Sequence, residues 1–255
     1  MQTASFFLRI GSWFVLVAVL SALWFPVCLT LLPWRGARVR MGNLYGKIVG
    51  RTGVWLIGAR PVIHNRERLN DSFPAIYISN HASNLDIVLG MWMCPIGGCG
   101  VAKKEVARIP FFGWLYMLSG HLLVDRQNRD NAIAALRDVA EAVHKYRLGI
   151  WIWPEGTRSK DGRLLPFKKG LGHLALATGL PIVPVVIHNA HKAWVKHSFK
   201  TNSMDVHIDV LPPLSTADWT LEGLDAHLEA VRQVMIDQLG DEQKPLLPAL
   251  SESPA

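Results

Sequence analysis

The stretch PAIYISNHASNLD, residues 74–86, joins two segments of opposite character. Its first part, PAIYIS (74–79), is a short apolar run bounded by turn residues, which is typical of a buried β-strand. Its second part, NHASNLD (80–86), is mostly small and polar, and it holds a histidine and an aspartate five positions apart. In open α/β sheets, ligands bind in the crevice beyond the carboxyl ends of the strands. The stretch therefore predicts a strand, a turn and a helix, with a candidate site in the turn.

Strand-like and helix-like segments alternate through the rest of the chain. Three more runs predict strands: GIWIWP (149–154), LPIVPVVIH (180–188) and DVHIDVLPP (205–213). Pro184 indicates an edge position or a bulge in the second of them, because proline cannot donate to a sheet ladder. Two segments with helical spacing predict amphipathic helices, 130–146 (capped by Asn128 or Asp130) and 220–240. The alternation predicts an α/β fold with a mixed, mostly parallel sheet covered by helices.

The composition indicates a partner that carries hydrocarbon or negative charge. Half of the 255 residues are hydrophobic, only 18% are charged, and ten are tryptophan. The formal net charge is +7 and the isoelectric point is about 9.5. An anionic membrane surface or a phosphate-bearing substrate fits these values. Nucleic acid is not the expected partner, because no lysine- and arginine-rich run or recognised nucleic-acid motif accompanies the charge.

The N-terminal segment is expected to anchor the protein in a membrane. No charged residue occurs between Ile10 and Trp34, a run long enough for a hydrocarbon core of roughly 30 Å. A signal peptide is the alternative, but its apolar core would be only about 7–15 residues long. Pro26 and Pro33 are expected to kink or end the helix. The arginines of RGARVR (35–40) then place the following chain on the cytoplasmic side by the positive-inside rule.

Three parts of the chain follow from these patterns. Residues 1–58 are expected to form a membrane-anchoring helical segment, in which 42–58 are either an interfacial helix or an ordinary core helix. Residues 59–240 are expected to form the α/β domain. Residues 241–255 are expected to be a flexible tail.

The cysteines predict neither a disulfide framework nor a zinc site. Cys28, Cys94 and Cys99 are odd in number, which fits a reducing compartment. CPIGGC (94–99) lacks the second pair or nearby histidines that would complete a zinc site, so buried thiols are expected. The sequence shows no recognisable metal-binding motif, P-loop or dinucleotide fingerprint, so no metal and no bound cofactor are expected.

His81 and Asp86 are the candidate catalytic pair. A neutral imidazole can take a proton from a hydroxyl, and a carboxylate on its other nitrogen fixes the tautomer and supports the imidazolium. Five residues apart across a strand-to-helix turn, the two side chains can meet. The alternative is that Asn84 or Asp86 caps a helix while His81 is an ordinary turn residue.

Cationic side chains accompany two further stretches. WPEGTRS (153–159) follows a predicted strand, and the Arg158 guanidinium matches phosphate oxygens bidentately. Residues 102–126 add Lys103 and Arg126 around an apolar run. A solvated basic loop and a core segment with surface charges are the respective alternatives to an anion site.

Four blocks in order resemble the 1-acylglycerol-3-phosphate acyltransferases, within the wider glycerolipid acyltransferases. The blocks are NHASNLD (80–86), GHLLVDR (120–126), PEGTRS (154–159) and LPIVPVV (180–186). The first and third are highly specific in combination, and the resemblance spans roughly residues 60–215. One departure is Trp153, where phenylalanine is usual before the proline.

The resemblance implies direct acyl transfer from an acyl thioester to the hydroxyl of a lysophospholipid, preferably lysophosphatidic acid, which gives phosphatidic acid. It implies that His81 is the general base and that Asp86 orients it. The residues that it implies for the glycerol-phosphate head are Glu155, Gly156, Thr157, Arg158, Arg126 and Lys103. The donor is acyl-CoA or acyl-acyl carrier protein. Many bacterial members have a similar N-terminal segment, so the expected location is the bacterial cytoplasmic membrane, with the catalytic domain on its cytoplasmic face.

Other functions remain open on the residues alone. The acceptor is alternatively another lysolipid, such as a lyso-ornithine lipid. A membrane lipid-binding protein without catalysis and an esterase or phospholipase are the alternatives from other classes. Ser83 lies inside the first block, but no G-x-S-x-G elbow surrounds it, so a structural role in the turn is expected rather than an acyl-enzyme.

Overall fold

The computed structural model describes residues 2–124, 129–194 and 201–246. Within these ranges the α-helices are α1 (Gln2–Thr30), α2 (Arg35–Ile57), α3 (Arg68–Asp71), α4 (Leu85–Met93), α5 (Phe112–Leu118), α6 (Arg129–Tyr146), α7 (Gly170–Thr178), α8 (Ala190–Ala193) and α9 (Leu224–Gln238). The strands are β1 (Ala59–His64), β2 (Ile76–Ser79), β3 (Gly98–Lys103), β4 (Leu122–Val124), β5 (Gly149–Ile152), β6 (Ile182–Ile187) and β7 (Met204–Val210). A 3₁₀ helix covers Lys104–Arg108.

The strands form one mixed sheet in the order β1-β7-β6-β2-β5-β3-β4. All neighbours pair in parallel except β6 and β7, which are antiparallel. The predicted fold class is therefore confirmed. β2 and β6 are buried along their whole length, because helices cover both faces of the sheet, and this explains their continuous apolar sequences.

The four predicted strands are confirmed as β2, β5, β6 and β7, and the two predicted amphipathic helices as α6 and α9. α9 begins at Leu224, four residues later than predicted. The cap predicted at Asn128 lies outside the described residues. The structure adds β1, β3 and β4, which the sequence reading did not predict. β3 has the sequence GCGVAK, whose glycines carry no side-chain pattern that would indicate a strand.

Pro184 does not lie on an edge strand, because β6 pairs with β7 on one side and β2 on the other. The edge alternative is therefore wrong. The register does change beside Pro184: Val185 pairs with Val210, whereas Ile182 pairs with Leu214. Two residues of β6, 183 and 184, thus face three residues of the chain that continues from β7, 211–213. This is the local geometry of a bulge.

The first two helices pack on the α/β domain. Pro26 lies within α1, which runs on to Thr30, and the chain turns at Pro33 before α2. α2 lies closely against α4, because a Cβ on Gly50 would come within 2.5 Å of the Val88 carbonyl oxygen. One face of α2 is therefore buried, as expected for the core-helix alternative. Within the described residues, Phe7–Thr30 is the one helical stretch long and apolar enough to cross a membrane by length and composition.

The described part of the predicted tail is packed rather than loose. Residues 241–246 follow α9 and return to the domain, where Gln243 is buried. The expectation of a flexible tail is wrong for this part, because polar groups of the segment find partners across the fold. Residues 247–255 lie outside the described ranges. Cys94 and Cys99 are buried free thiols, as predicted, and so is Cys28.

Candidate active site

The candidate site lies at the carboxyl ends of β2 and β5, which are adjacent and parallel. The loops that follow these strands, 80–84 and 153–159, therefore come together. Asn80 fixes the start of the first loop: its Nδ2 donates to the Ile187 carbonyl oxygen and its Oδ1 accepts the Ile187 N–H, both at 2.8 Å. This side chain holds the end of β2 to the end of β6, a role that the sequence reading missed.

His81 and Asp86 form the predicted pair. His81 Nδ1 lies 3.0 Å from Asp86 Oδ2, and the two side chains are 12% and 1% exposed. The same oxygen accepts the backbone N–H groups of Ala82 and Ser83, each at 2.7 Å. The backbone N–H groups of the turn fix the carboxylate, and the carboxylate fixes the imidazole. Nε2 is then the ring nitrogen on the side away from Asp86.

The helix-cap alternative accounts for only part of this geometry. Asn84 is the N-cap of α4 by position, but its side chain makes no capping hydrogen bond. Asp86 does order the turn through its backbone partners. It holds the histidine at the same time, so the local structural role and the pairing coexist in one carboxylate.

Glu155 lies in the wall of the site and not on its surface. The residue is 1% exposed; Oε1 accepts the His81 N–H at 2.6 Å and Oε2 accepts the Leu165 N–H at 2.9 Å. Burial raises the pKa of Glu155 to about 8, although both backbone hydrogen bonds act in the opposite direction. The predicted contact with a substrate head group is not what this geometry favours, because both oxygens already hold the main chain.

Trp153 stacks on the catalytic candidate. Its ring and that of His81 have centroids 4.9 Å apart and planes inclined by 26°. The tryptophan that departs from the usual phenylalanine therefore limits the orientation of the imidazole from its face, while Asp86 does so from its edge. The sequence indicated only that the position stays aromatic.

The turn after Glu155 brings three further predicted residues, Gly156, Thr157 and Arg158, to the same cavity as His81. Gly156 has a φ of 71°, in the left-handed region that favours glycine, and its N–H donates to the Trp153 carbonyl oxygen at 3.1 Å. Thr157 is exposed, and the partly buried Arg158 guanidinium donates to Asn84 Oδ1. This hydrogen bond links the two loops.

Two predicted cations are not placed by the structure. Arg126 lies outside the described residues. Lys103 is the last residue of β3, but its side chain is not described. Their predicted contacts with a head group stay predictions.

Ser83 has the structural role expected of it. Its side chain is fully buried; the hydroxyl donates to the Trp194 carbonyl oxygen at 2.9 Å and accepts the Leu85 N–H at 3.2 Å. A hydroxyl with these partners holds the turn to the segment after α8.

A cavity of about 520 Å³ opens beside the dyad. His81, Gly156, Thr157 and Arg158 line it, together with mostly apolar and aromatic side chains. The apolar lining comes from α2, α4, β3, the 3₁₀ helix and α5, including Tyr45, Ile87, Met91, Val101, Val106, Ile109, Phe112 and Leu115. A polar corner on an otherwise apolar cavity suits an amphiphile whose reacting group lies beside His81.

Just over half of the chain, residues 60–188, matches the family model described as Acyltransferase, and both loops lie inside this range. The chain belongs to the acyltransferase family. It is 44% identical over 239 residues to the 1-acyl-sn-glycerol-3-phosphate acyltransferase of Cocos nucifera, which covers 94% of this chain and 77% of that one. It is 38% identical over 209 residues to the protein of the same name from Escherichia coli (strain K12), covering 79% and 80%. The resemblance drawn from the four blocks is confirmed.

The fold of this acyltransferase is also that of a solved structure. The crystal structure of the 1-acyl-sn-glycerophosphate (LPA) acyltransferase from Thermotoga maritima superposes with a TM-score of 0.71, over 93% of this chain and 98% of that one. The two sequences are 22% identical, so this likeness supports the architecture alone.

Proposed function

We propose that this acyltransferase moves a fatty acyl group from an acyl thioester to the free hydroxyl of 1-acyl-sn-glycerol-3-phosphate (lysophosphatidic acid), which gives phosphatidic acid. The observation that carries the proposal is the His81–Asp86 pair beside the 156–158 turn on one apolar cavity. The names of the relatives from Cocos nucifera and Escherichia coli support the same acceptor. The reaction needs no bound cofactor, because the thioester is already activated and the acceptor supplies the nucleophile.

His81 is the proposed general base. Its Nε2 takes the proton of the acceptor hydroxyl as that oxygen attacks the thioester carbonyl carbon. Asp86 holds the Nδ1 side and stabilises the imidazolium that forms. The tetrahedral intermediate then collapses: the carbon–sulfur bond breaks, and the departing thiolate takes the proton from His81. No serine of the enzyme is acylated in this scheme.

Arg158 and Thr157 are the proposed contacts for the phosphate head, with Arg126 and Lys103 assisting. The hydrogen bond from Arg158 to Asn84 orients a guanidinium that lines the cavity. A guanidinium fork matches phosphate oxygens better than a point charge does. For Glu155 we propose positioning of the loops instead of contact with the head group.

The apolar part of the cavity is the proposed place for an acyl chain. Its walls come from α2, α4, α5, β3 and the 3₁₀ helix, and the exposed side chains of α4 and α5, Ile87, Trp114 and Met117, are also apolar. The donor is acyl-CoA or acyl-acyl carrier protein, and the net charge of +7 favours encounter with either, since both carry phosphate.

Residues 1–58 are the proposed membrane anchor. α1 exposes apolar side chains along its length, among them Phe14, Val19 and Leu23. α5 packs against α1 and exposes Trp114 and Met117, three residues apart on one face. A lipid acceptor reaches the cavity most directly from a bilayer that these side chains enter. The proposed location is the bacterial cytoplasmic membrane, with the domain on the cytoplasmic face, as the arginines of 35–40 favour.

The product of the reaction tests the proposal. Detergent-purified protein is given oleoyl-CoA or oleoyl-acyl carrier protein with lysophosphatidic acid or a lyso-ornithine lipid, and the lipids are resolved by mass spectrometry. The expected result is phosphatidic acid, formed when each lysophosphatidic acid molecule gains one oleoyl group. Acylation of the ornithine lipid alone would overturn the acceptor. Release of the fatty acid already on the lysolipid would indicate an esterase or phospholipase, and free oleate without a new lipid would indicate hydrolysis of the thioester. Lipid binding without product would indicate a binding protein.

A further inference from the structure

The segment that follows α9 packs on the chain that continues from the second site loop and on the end of β6. We call residues 240–244 the C-terminal strap. The Leu164 N–H donates to the Gln243 carbonyl oxygen at 2.9 Å. The Arg163 guanidinium donates to two further strap carbonyl oxygens, at 2.6 and 3.1 Å. The loop that continues from the PEGTRS block is therefore held by main chain close to the C-terminal end of the described residues.

The side chain of Gln243 fastens this strap to the end of β6. It is 2% exposed, its Oε1 accepts the Asn189 N–H at 2.9 Å, and its Nε2 donates to the Ile187 carbonyl oxygen at 3.3 Å. Loss of this amide removes a partner from the Asn189 N–H and leaves the Ile187 carbonyl oxygen with Asn80 as its side-chain donor, so the strap is no longer fastened to β6 by a side chain.

One path leads from this amide to the catalytic loop through β6. The Ile187 carbonyl oxygen accepts from Gln243 and also from Asn80 Nδ2, and Asn80 Oδ1 accepts the Ile187 N–H. Asn80 immediately precedes His81. The position of β6 relative to the strap therefore bears on where the His81 main chain lies.

A second path reaches His81 from the other side. The strap carbonyl of Gln243 holds Leu164, and the next residue, Leu165, donates its N–H to Glu155 Oε2. Glu155 Oε1 in turn accepts the His81 N–H. Both paths begin at one residue and end at the same short piece of backbone.

We infer that Gln243 is a positioning residue for His81. Its side-chain amide acts through Ile187, and its main-chain carbonyl, whose position depends on that amide, acts through Leu164. Neither group contacts the reacting groups, and the residue lies 55 residues beyond the end of the family match at residue 188. The inference rests on the proposed role of His81 as the base. Its consequence is that loss of the amide moves the imidazole from the acceptor hydroxyl, and displacement of about 1 Å costs on the order of a hundredfold in rate.

Gln243→Leu tests the inference, since leucine has a similar size and removes both side-chain hydrogen bonds. We expect kcat to fall by at least about tenfold, with the KM for lysophosphatidic acid within about twofold. Gln243→Glu keeps an acceptor for the Asn189 N–H but places a carboxylate oxygen against the Ile187 carbonyl oxygen, so it should also lower kcat. Glu242→Gln is the matched control: it breaks an exposed ion pair with Lys192 one residue away and should leave kcat unchanged.

Two measurements distinguish the positioning of His81 by Gln243 from a general loss of stability and from failure of the proposed function. Hydrogen exchange at the amides of 80–83 and carbethoxylation of His81, both followed by peptide mass spectrometry below the unfolding temperature, should accelerate in Gln243→Leu and not in Glu242→Gln. Unchanged exchange, unchanged His81 reactivity and unchanged kcat would overturn the inference. A parent protein that makes no phosphatidic acid would overturn the proposed function, while the exchange data would still decide the positioning.

Discussion

The backbone N–H of His81 donates to Glu155 Oε1 at 2.6 Å, so the catalytic candidate is held from two sides. Asp86 holds the ring through Nδ1, and Glu155 holds the main chain. Asp86 lies in the first turn of α4, which follows the loop after β2, and Glu155 lies in the loop after β5. Both carboxylates therefore hold His81 through hydrogen bonds, and the loop after β5 presents Thr157 and Arg158 to the cavity.

Glu155→Gln should change the pH dependence of stability. Burial raises the folded-state pKa of Glu155 to about 8 from an ordinary value of 4.5. Between these values the native state binds more protons than the unfolded chain. The stability from this group is thus fully present below pH 4.5 and is lost as the pH rises towards 8, at up to about 1.4 kcal/mol per pH unit.

The measurement is the Tm of the parent and of Glu155→Gln in one detergent from pH 5 to pH 9. The variant lacks this slope, so the advantage of the parent should shrink as the pH rises and level off above about 8. The exposed Glu242→Gln serves as the control. A gap that stays constant over the whole range would contradict the raised pKa of Glu155.

Ser83→Ala should keep the reaction. The hydroxyl serves the Trp194 carbonyl oxygen and the Leu85 N–H, so its loss should cost about 1 kcal/mol of stability and leave kcat within about threefold. Intact mass spectrometry of the parent, incubated with acyl thioester but without acceptor, should show no acylated protein. An acyl adduct that disappears in Ser83→Ala would mean that the enzyme uses a covalent intermediate.

Arg158→Lys should raise the KM for lysophosphatidic acid by about tenfold. Lysine keeps the charge but loses the fork and the hydrogen bond to Asn84 that orients it. The exposed neighbour Lys160→Gln is the control and should change the KM little. Monoacylglycerol lacks the phosphate, so the parent and Arg158→Lys should acylate it at the same rate. Equal KM values for lysophosphatidic acid in the parent and Arg158→Lys would mean that Arg158 does not bind the phosphate.

Gly46→Leu should shorten the acyl chains that the enzyme accepts. Gly46 lines the cavity from α2, and a Cβ there meets only ordinary contacts, the nearest being the Met91 carbonyl oxygen at 3.7 Å. A larger side chain can therefore extend into the cavity without displacing the helix. If the leucine removes room for two methylenes, at about 0.8 kcal/mol each, kcat/KM of the variant should fall roughly tenfold for a palmitoyl thioester relative to a decanoyl thioester.

Gly11→Leu on α1 is the matched control for this change. A Cβ at Gly11 meets nothing within 4 Å and the residue does not line the cavity, so its effect is confined to helix propensity. Its chain-length profile should match that of the parent. An unchanged profile in Gly46→Leu would show that the acyl chain does not occupy this cavity.

The parts of the fold that could be predicted are those with a local pattern. β2, β5 and β6 are short apolar runs, and the spacing of His81 and Asp86 places both on one turn. β3 contains two glycines, so it shows neither an alternation of apolar and polar residues nor an apolar run that would predict a strand. The long apolar helix α1 was predictable from its length and composition, whereas the burial of one face of α2 depends on its packing against α4.

Long-range contacts explain what the sequence could not predict at the site. Glu155 is a charged residue in a polar block, which favours a substrate contact; its burial follows from Leu165 and His81, which approach from two other segments. Gln243 lies in a polar stretch near the C-terminal end, which reads as a tail. Its partner Asn189 lies 54 residues earlier, and no local pattern records that pairing.

The central claim is that His81, held by Asp86, deprotonates the hydroxyl of lysophosphatidic acid. The most direct test is the rate of phosphatidic acid formation by the parent, His81→Ala and Asp86→Asn under saturating oleoyl thioester, with the folded fraction of each checked by Tm. Both variants should bind lysophosphatidic acid as the parent does, and His81→Ala should lower kcat by about 10²–10⁴. A His81→Ala protein that forms phosphatidic acid within a few fold of the parental rate would contradict the dyad.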